Sequence, residues 1–314
     1  MARSTNQPKL YWQSKLVLLL VFPSLGADFV LKTQWWISNL PTVALLIVGL
    51  SALLGLVAWK LHAATPWAAV AGTVIAASIT FSTLSNSDWR PLAPWRTALV
   101  PLVLLLMLTT LATRLDRTHK EKLGTAERHH GRSAAQVAAN LGFAALVSNQ
   151  VVLFFLEGRG LLQLGFLRLH GSHGVFWSAT LPFSIGLAAL AEAAADTVSS
   201  EIGQVFGGQP RMITTLRRVE PGTDGAVSLA GTMAGIAAGA AVSLAGALAL
   251  SGGWEMFWIA CAGGVFGLFF DSVLGATLEK RGWLNNDAVN FLSTASAAAF
   301  ALGVLVVRAH LGAG

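Results

Sequence analysis

Apolar residues run along this chain in long blocks, each near the ~20 residues that a helix needs to cross a bilayer. The blocks lie near 16–32, 41–59, 67–84, 97–113, 134–156, 174–195, 227–250, 254–277 and 289–308. They are apolar all round, without the 3.6-residue stripe of a half-solvated helix. Lipid offers no partner to an unpaired backbone group, so helices are the expected form. The pattern predicts an all-α fold, a polytopic transmembrane helix bundle of about nine spans. The first block is the weakest, because Pro23, Gly26 and Asp28 interrupt it. An interfacial or re-entrant course is its alternative.

Composition agrees with the pattern. Hydrophobic residues make up 54% of the 314, charged residues 11%, and mean hydropathy is +0.63. Soluble domains carry about 25% charged residues, so this chain cannot cover a water-facing surface. The single cysteine, Cys261, lies inside an apolar block. It allows neither a disulfide framework nor a cysteine zinc site, and reads as a packing residue. The polar start, Met1–Lys15, runs into Leu16–Phe22 without a small-residue cleavage site. It is also short for a transit peptide, so the expectation is a bacterial plasma membrane.

Charge sets the expected direction. The segment 114–133 holds Arg114, Arg117, Lys120, Lys122, Arg128 and Arg132, which places it in the cytoplasm. Alternation of spans then puts 15 of the 21 basic residues on that side, with the N-terminus inside and the C-terminus outside. Basic loops explain the net charge of +6 without a nucleic-acid partner. Three parts emerge: N-terminal hydrophobic spans (1–113), a basic linker (114–133), and a Gly/Ala/Ser-rich membrane domain (134–314). The linker, with its His129-His130 pair, reads as a solvated surface facing lipid headgroups.

Polar groups in the third part gather at the expected cytoplasmic end. Ionisable side chains at membrane depth are costly and default to a functional role. On a helix, Glu192, Asp196, Ser199, Ser200, Gly203 and Gly207 share one face. Carboxylate and hydroxyls there can hold Mg²⁺ beside substrate phosphates, and the glycines let a phosphate or another helix approach closely. Glu201 falls about 140° off this stripe by helical geometry and joins it only if the helix breaks near Gly203. The alternative is a plain small-residue packing face. In the following loop, Arg211, Arg217 and Arg218 suit phosphate, and Thr214, Gly222, Gly225 and Ser228 offer hydroxyls and backbone N–H groups. An ordinary basic loop is the alternative. Gly231, Gly235 and Gly239 repeat every four residues and predict helix packing.

Further along, Asp271 and Ser272 sit near the end of the eighth block, and Asn286, Asp287 and Asn290 open the ninth. Asp287 reads equally well as a helix N-cap. Gln136 and Asn140 are four apart near the start of the fifth block. Residues from several spans therefore converge on one face, as a site requires, with no matching polar ladder on the other side. No Ser-His-Asp arrangement, HExxH or P-loop is present, so acyl transfer, zinc proteolysis and P-loop chemistry lose support.

Five motifs in order resemble the transmembrane protein 19 family, which includes phytyl-phosphate kinases. They are Arg132-Ser-Ala-Ala-Gln-Val-Ala-Ala-Asn140, Ala195-Asp-Thr-Val-Ser-Ser-Glu-Ile-Gly203, Val219-Glu-Pro-Gly-Thr-Asp-Gly-Ala-Val-Ser228, Asp271-Ser-Val-Leu-Gly-Ala276 and Leu284-Asn-Asn-Asp-Ala-Val-Asn290. The resemblance covers roughly 130–295. Asp196, Ser199, Gly203 and Gly207 are also spaced like the D-x-x-[AS]-x-x-x-G-x-x-x-G motif of CTP-dependent membrane enzymes such as dolichol kinase, phytol kinase and CDP-diacylglycerol synthase. Gly208-Gln209 stands where many of those carry a basic residue, and Arg211 is the nearest substitute.

The resemblance implies a kinase that passes the terminal phosphate of a nucleoside triphosphate, CTP favoured, to a prenyl monophosphate at the cytoplasmic face. Asp196 and Asp271 would hold Mg²⁺, with Glu201 as a further ligand or orienting group. Ser199, Ser200, Gly203, Gly207 and the loop to Ser228 would bind nucleotide. Gln136, Asn140, Ser272, Asn286, Asp287 and Asn290 would position substrate, with the prenyl tail among the Gly/Ala-rich spans. A lipid or small-molecule transporter or flippase, and a CTP-dependent cytidylyltransferase, are the alternatives.

Overall fold

A computed structural model describes residues 10–84, 94–126, 131–149, 152 and 180–311. The His129-His130 pair, Arg90, Arg128, Arg159, Arg168 and parts of the blocks 134–156 and 174–195 lie outside the described residues. The chain runs α1 (Tyr11–Asn39), α2 (Pro41–Lys60), α3 (Pro66–Ser82), α4 (Leu99–Arg114), α5 (Arg117–Leu123), α6 (Ala134–Val147) and α7 (Thr180–Phe206). A two-stranded ribbon follows, β1 (Arg211–Met212) and β2 (Ala226–Val227). Then come α8 (Leu229–Ala249), α9 (Gly253–Leu274), a π-helical turn (Gly275–Glu279) and α10 (Asn286–Leu311).

Helices fall on all nine expected blocks. Among the described residues, five of them (α1, α2, α8, α9 with its π turn, and α10) are long and apolar enough to cross a membrane. A sixth span results if α4 and α5, bent by 64°, count as one. The membrane-helical class stands, with five to six spans rather than nine meeting both criteria there.

Local sequence explains the starts. Pro41 and Pro66 sit in the first turns of α2 and α3, where a missing N–H costs nothing. The Thr65 hydroxyl accepts from Ala68 N–H at 3.3 Å. Ser133 and Gln136 form a reciprocal capping box on α6, and Ser228 caps α8 by accepting from Gly231 N–H at 3.1 Å. The α1 helix is continuous through Pro23, against the expected interruption. Its Asp28 is neutralised by Lys32 one turn on, 2.7 Å away. Ser78 donates to Asp28, and Lys32 donates to Ser82 at 2.6 Å. This buried network, near the last turns of α3 and α6, is a polar cluster on the far side of the bundle that the sequence did not announce.

Large side chains face outward and small ones inward. Leu19, Leu45, Trp67, Met107, Leu111 and Trp254 are exposed, as lipid-facing residues are expected to be. The core centres on α7, where Leu187–Ala195 is buried throughout. Helices α4, α6, α8, α9 and α10 all pack on it. The two compositional halves therefore share one core, in which Val21, Leu25 and Ile75 meet Ala138, Ala144 and Leu187. The expected Gly231/Gly235/Gly239 packing face is seen directly. A Cβ at Gly235 would lie 2.6 Å from the Ala195 carbonyl oxygen and 2.7 Å from Ser199 Cβ, and one at Gly231 would lie 2.5 Å from the Ser199 carbonyl oxygen. With no hydrophobic drive between helices in lipid, such close approach is the main source of attraction.

Gly235→Leu should force α7 and α8 apart and cost at least about 1–3 kcal/mol. Met233→Leu, on the exposed face of the same helix, should be neutral. Thermal unfolding of the detergent-solubilised variants checks the pair.

Candidate active site

The unbroken α7 carries Glu192 and Asp196 on its inner side, one turn apart. Asp271 arrives from the last turn of α9, close enough to Asp196 for the two carboxyl groups to interact. Ser293 of α10 lies beside Glu192 and Asp271, and its hydroxyl donates to the Asn290 carbonyl at 3.0 Å. A Cβ at Gly267 would lie 2.5 Å from Glu192 Cγ, so the bare backbone of α9 is what gives Glu192 room. Three carboxylates from two helices therefore share one polar site, with Glu192 buried and Asp196 and Asp271 half-buried. Asp271 Oδ1 and Glu192 Oε1 are buried without a hydrogen-bond partner. Glu192 was read only as a companion of Asp196, and Ser293 was missed because a lone serine in an apolar helix has no distinctive pattern.

Lys120 is the largest correction to the expected solvated linker. It is fully buried, and its ammonium donates to Glu201 Oε2 at 2.7 Å and to the Ala112 and Thr113 carbonyls at 2.7 and 3.2 Å. The last turn of α4 leaves those carbonyls unpaired, so a cation there has three acceptors. Glu201 keeps its off-stripe direction because α7 does not break. It braces α5 against α7 instead of completing the carboxylate group.

Several other residues have structural tasks. Ser228, the α8 cap, packs over Gly203 and Gly207, where added Cβ atoms would lie 3.1 and 2.6 Å from its Oγ. That motif face is a helix contact rather than an open cradle. Ser199 faces Gly235, and Ser200 and Ser272 hydroxyls return to the Thr197 and Leu268 carbonyls of their own helices. Gln136 gives its amide oxygen to Ser133 N–H at 2.7 Å. Asp287 is not the α10 cap, a role taken by Asn285, which accepts from Ala288 N–H. Asp287 instead accepts from Ser14 at 2.6 Å, while Gln13 donates to the Trp283 carbonyl at 2.8 Å. These bonds latch α1 to α10, and nothing in the polar start of the chain singles out Gln13 and Ser14. Asn286 is exposed.

Other contacts keep the site together. Asn140 meets Asn290 across α6 and α10, with 3.5 Å between amide nitrogen and oxygen. Asn140 and Gln136 also line an internal cavity of about 550 Å³. The ribbon loop folds over the end of α9, where Gly225, at φ 74°, allows its backbone to touch Ala276. Gly222 likewise lies against Thr125. Arg211 donates to the Leu216 carbonyl and Arg218 to the Gln209 amide oxygen. Arg217 and Thr214 are exposed. Among the described residues, no group of three His, Cys, Asp or Glu side chains is arranged as a protein-only metal cage. Two neighbouring carboxylates, one with an unpaired oxygen, fit a cation whose remaining ligands come from substrate.

Residues 49–298 match the family described as integral membrane protein DUF92. The chain belongs to this family. All five motifs lie inside the DUF92 match, and the transmembrane protein 19 resemblance drawn from them is borne out. An uncharacterised membrane protein of Synechocystis sp. is 31% identical over 225 residues, 69% of this chain and 76% of its own. One of Methanocaldococcus jannaschii is 42% identical over 108 residues, 34% of this chain and 45% of its own. The chloroplastic protein VTE6 of Arabidopsis thaliana is 29% identical over 188 residues, 59% of this chain and 51% of its own. The match thus spans about half the length of the archaeal and plant relatives. No solved structure matches this chain.

Lys120→Met leaves Glu201 buried and unpaired, a loss of about 3–5 kcal/mol for a broken buried pair. The double variant K120M/E201Q should recover much of that stability. A thermal-melt cycle in detergent separates a brace from a surface charge, which would show no such rescue.

Proposed function

We propose that this DUF92 protein is a membrane phosphotransferase that moves the terminal phosphate of a nucleoside triphosphate, with CTP favoured, onto a prenyl monophosphate such as phytyl phosphate. The closeness of Asp196 to Asp271 carries the reading. Two carboxylates held together with an unpaired oxygen favour a cation between them and the substrate phosphates. The resemblance to a family that includes phytyl-phosphate kinases supports the same conclusion.

In this reading Asp196 and Asp271 would hold Mg²⁺, which supplies neutralisation of charge on the phosphates. Glu192 and Ser293 border the two aspartates on the inner side of the bundle. The ribbon loop, with Arg211, Arg217 and Arg218, closes over the nucleotide phosphates. An oxygen of the prenyl phosphate attacks the terminal phosphorus. The bond from that phosphorus to the bridging oxygen breaks, and the nucleoside diphosphate leaves with the electron pair. A phosphate is already a nucleophile, so the chain needs no strong base. Its contribution is positioning and electrostatics.

Purified protein with Mg²⁺, CTP or ATP, and geranylgeranyl or phytyl phosphate should yield the prenyl diphosphate. Asp196→Asn and Asp271→Asn should each lower turnover by about 10²-fold or more while the protein stays folded. Release of pyrophosphate would instead mark a cytidylyltransferase. No product from either nucleotide across a panel of prenyl phosphates and prenols would overturn the proposal.

A further inference from the structure

One sizeable cavity is walled largely by the N-terminal helices rather than by the C-terminal helices alone. The 550 Å³ cavity lies between α2, α3 and α4 on one side and α6 and α7 on the other. Its two ends differ. The shaft is walled by Leu54, Ala76, Leu102 and Leu105. The other end is ringed by His62, Arg114, Arg117 and Arg132. Among the described residues, no carboxylate lines it. Leu102 and Arg114 are twelve residues apart on α4, so the shaft runs roughly 18 Å from the basic ring, over half of a ~30 Å hydrocarbon core.

The basic ring is built rather than incidental. The turn between α2 and α3 is zipped to the start of α6: Arg132 N–H donates to the Ala63 carbonyl and Thr65 N–H to the Arg132 carbonyl, each at 3.0 Å. Gly131, at φ 78°, permits that approach, since a Cβ there would lie 2.5 Å from the His62 carbonyl oxygen. Arg114 donates to the Leu61 carbonyl. Arg117 is held by Glu121 at 2.9 Å. Part-way along the wall, Thr110 is 9% exposed and its hydroxyl has no partner. A buried hydroxyl left unpaired on a cavity wall points to a missing ligand.

The cavity also touches the carboxylate site. Arg132 reaches Thr197 at 3.4 Å, the residue after Asp196. Asn140 lines the cavity and meets Asn290. Ala193, beside Glu192, forms part of the wall.

We propose that this cavity is the acceptor site: it takes a lipid with one long apolar chain and an anionic phosphate head, the chain in the shaft and the phosphate on Arg114, Arg117 and Arg132. This deepens the phosphotransferase reading and rests on it for the lipid's identity. The volume suits one chain, within the range of pockets that enclose a single drug-sized ligand. The head then lies beside α7, next to Asp196, where an acceptor phosphate is needed. Arg114, Arg117 and Arg132 replace the amides of α10 as its grip.

The test is equilibrium binding to the full chain in nanodiscs without nucleotide, so it reads the site whether or not transfer occurs. The probes are geranylgeranyl phosphate, geranyl phosphate, geranylgeraniol, lysophosphatidic acid and inorganic phosphate. Arg114→Ala with Arg117→Ala should weaken geranylgeranyl phosphate at least tenfold and leave geranylgeraniol unchanged. At Gly72, on the cavity wall, a Cβ would meet only Val137 Cγ1 at 3.9 Å, so Gly72→Leu fills the shaft without displacing backbone. It should weaken the twenty-carbon phosphate at least tenfold and spare geranyl phosphate. Tighter binding of lysophosphatidic acid than of the prenyl phosphate would retain the cavity and overturn the prenyl assignment. Binding of inorganic phosphate alone, or of geranylgeranyl phosphate unchanged in both variants, would overturn the site. If transfer fails while the variants show these losses, the acceptor cavity stands and the kinase reading falls. If transfer proceeds with an unchanged KM for lipid in both variants, the reverse holds.

Discussion

The bundle depends on the closeness with which its neighbours can approach α7. Lipid tails are as apolar as leucine, so burying large side chains between membrane helices gains little. Attraction comes from contact, and contact is densest where side chains are absent. The Gly231/Gly235/Gly239 edge of α8 lies on the carbonyls of Ala191, Ala195 and Ser199, and Gly264 of α9 lies on Ala191. The same closeness has a chemical result. Glu192, Asp196 and Asp271 sit within reach of one another because no larger residue separates the helices that bear them. Packing and site are one constraint, seen at two positions along α7.

Much of this was legible because its signal is periodic or improbable. Among the described residues, apolar blocks long enough for bilayer crossing located the major helices. Glycines at a four-residue spacing announced a contact face. Aspartates at membrane depth are rare, and Asp196 and Asp271 drew attention for that reason. The parts that escaped notice have ordinary residues in extraordinary places. Lys120 belongs to a basic run, and basic runs are normally solvated; only three-dimensional packing shows that one of its members reaches a buried glutamate. Glu201 looked like a ligand because acids near a motif usually are, yet its angle around α7 kept it elsewhere. Gln13 and Ser14 resembled the soluble start of the chain. The cavity drew its wall from leucine, alanine and glycine, which bear no mark distinguishing lipid-facing from ligand-facing positions.

The N-terminal third therefore does more than hold the chain in the membrane. Through Gln13 and Ser14 it fixes the start of α10, and through α2, α3 and α4 it closes a chamber that the C-terminal helices alone would leave open. Its Leu- and Trp-rich composition disguises that contribution, because a lipid-facing exterior and a chamber wall can be parts of the same helix.

Asp28 and Lys32 stand one turn apart on a single helix. Charges paired within one segment need no later helix to neutralise them. As the ribosome delivers α1, that segment can enter the hydrocarbon phase already balanced, long before the serines of α3 or α6 have been synthesised. Order of assembly is thus written into where the counter-ion lies: a partner on the same helix lets the first segment settle early and leaves the later ones to dock around it.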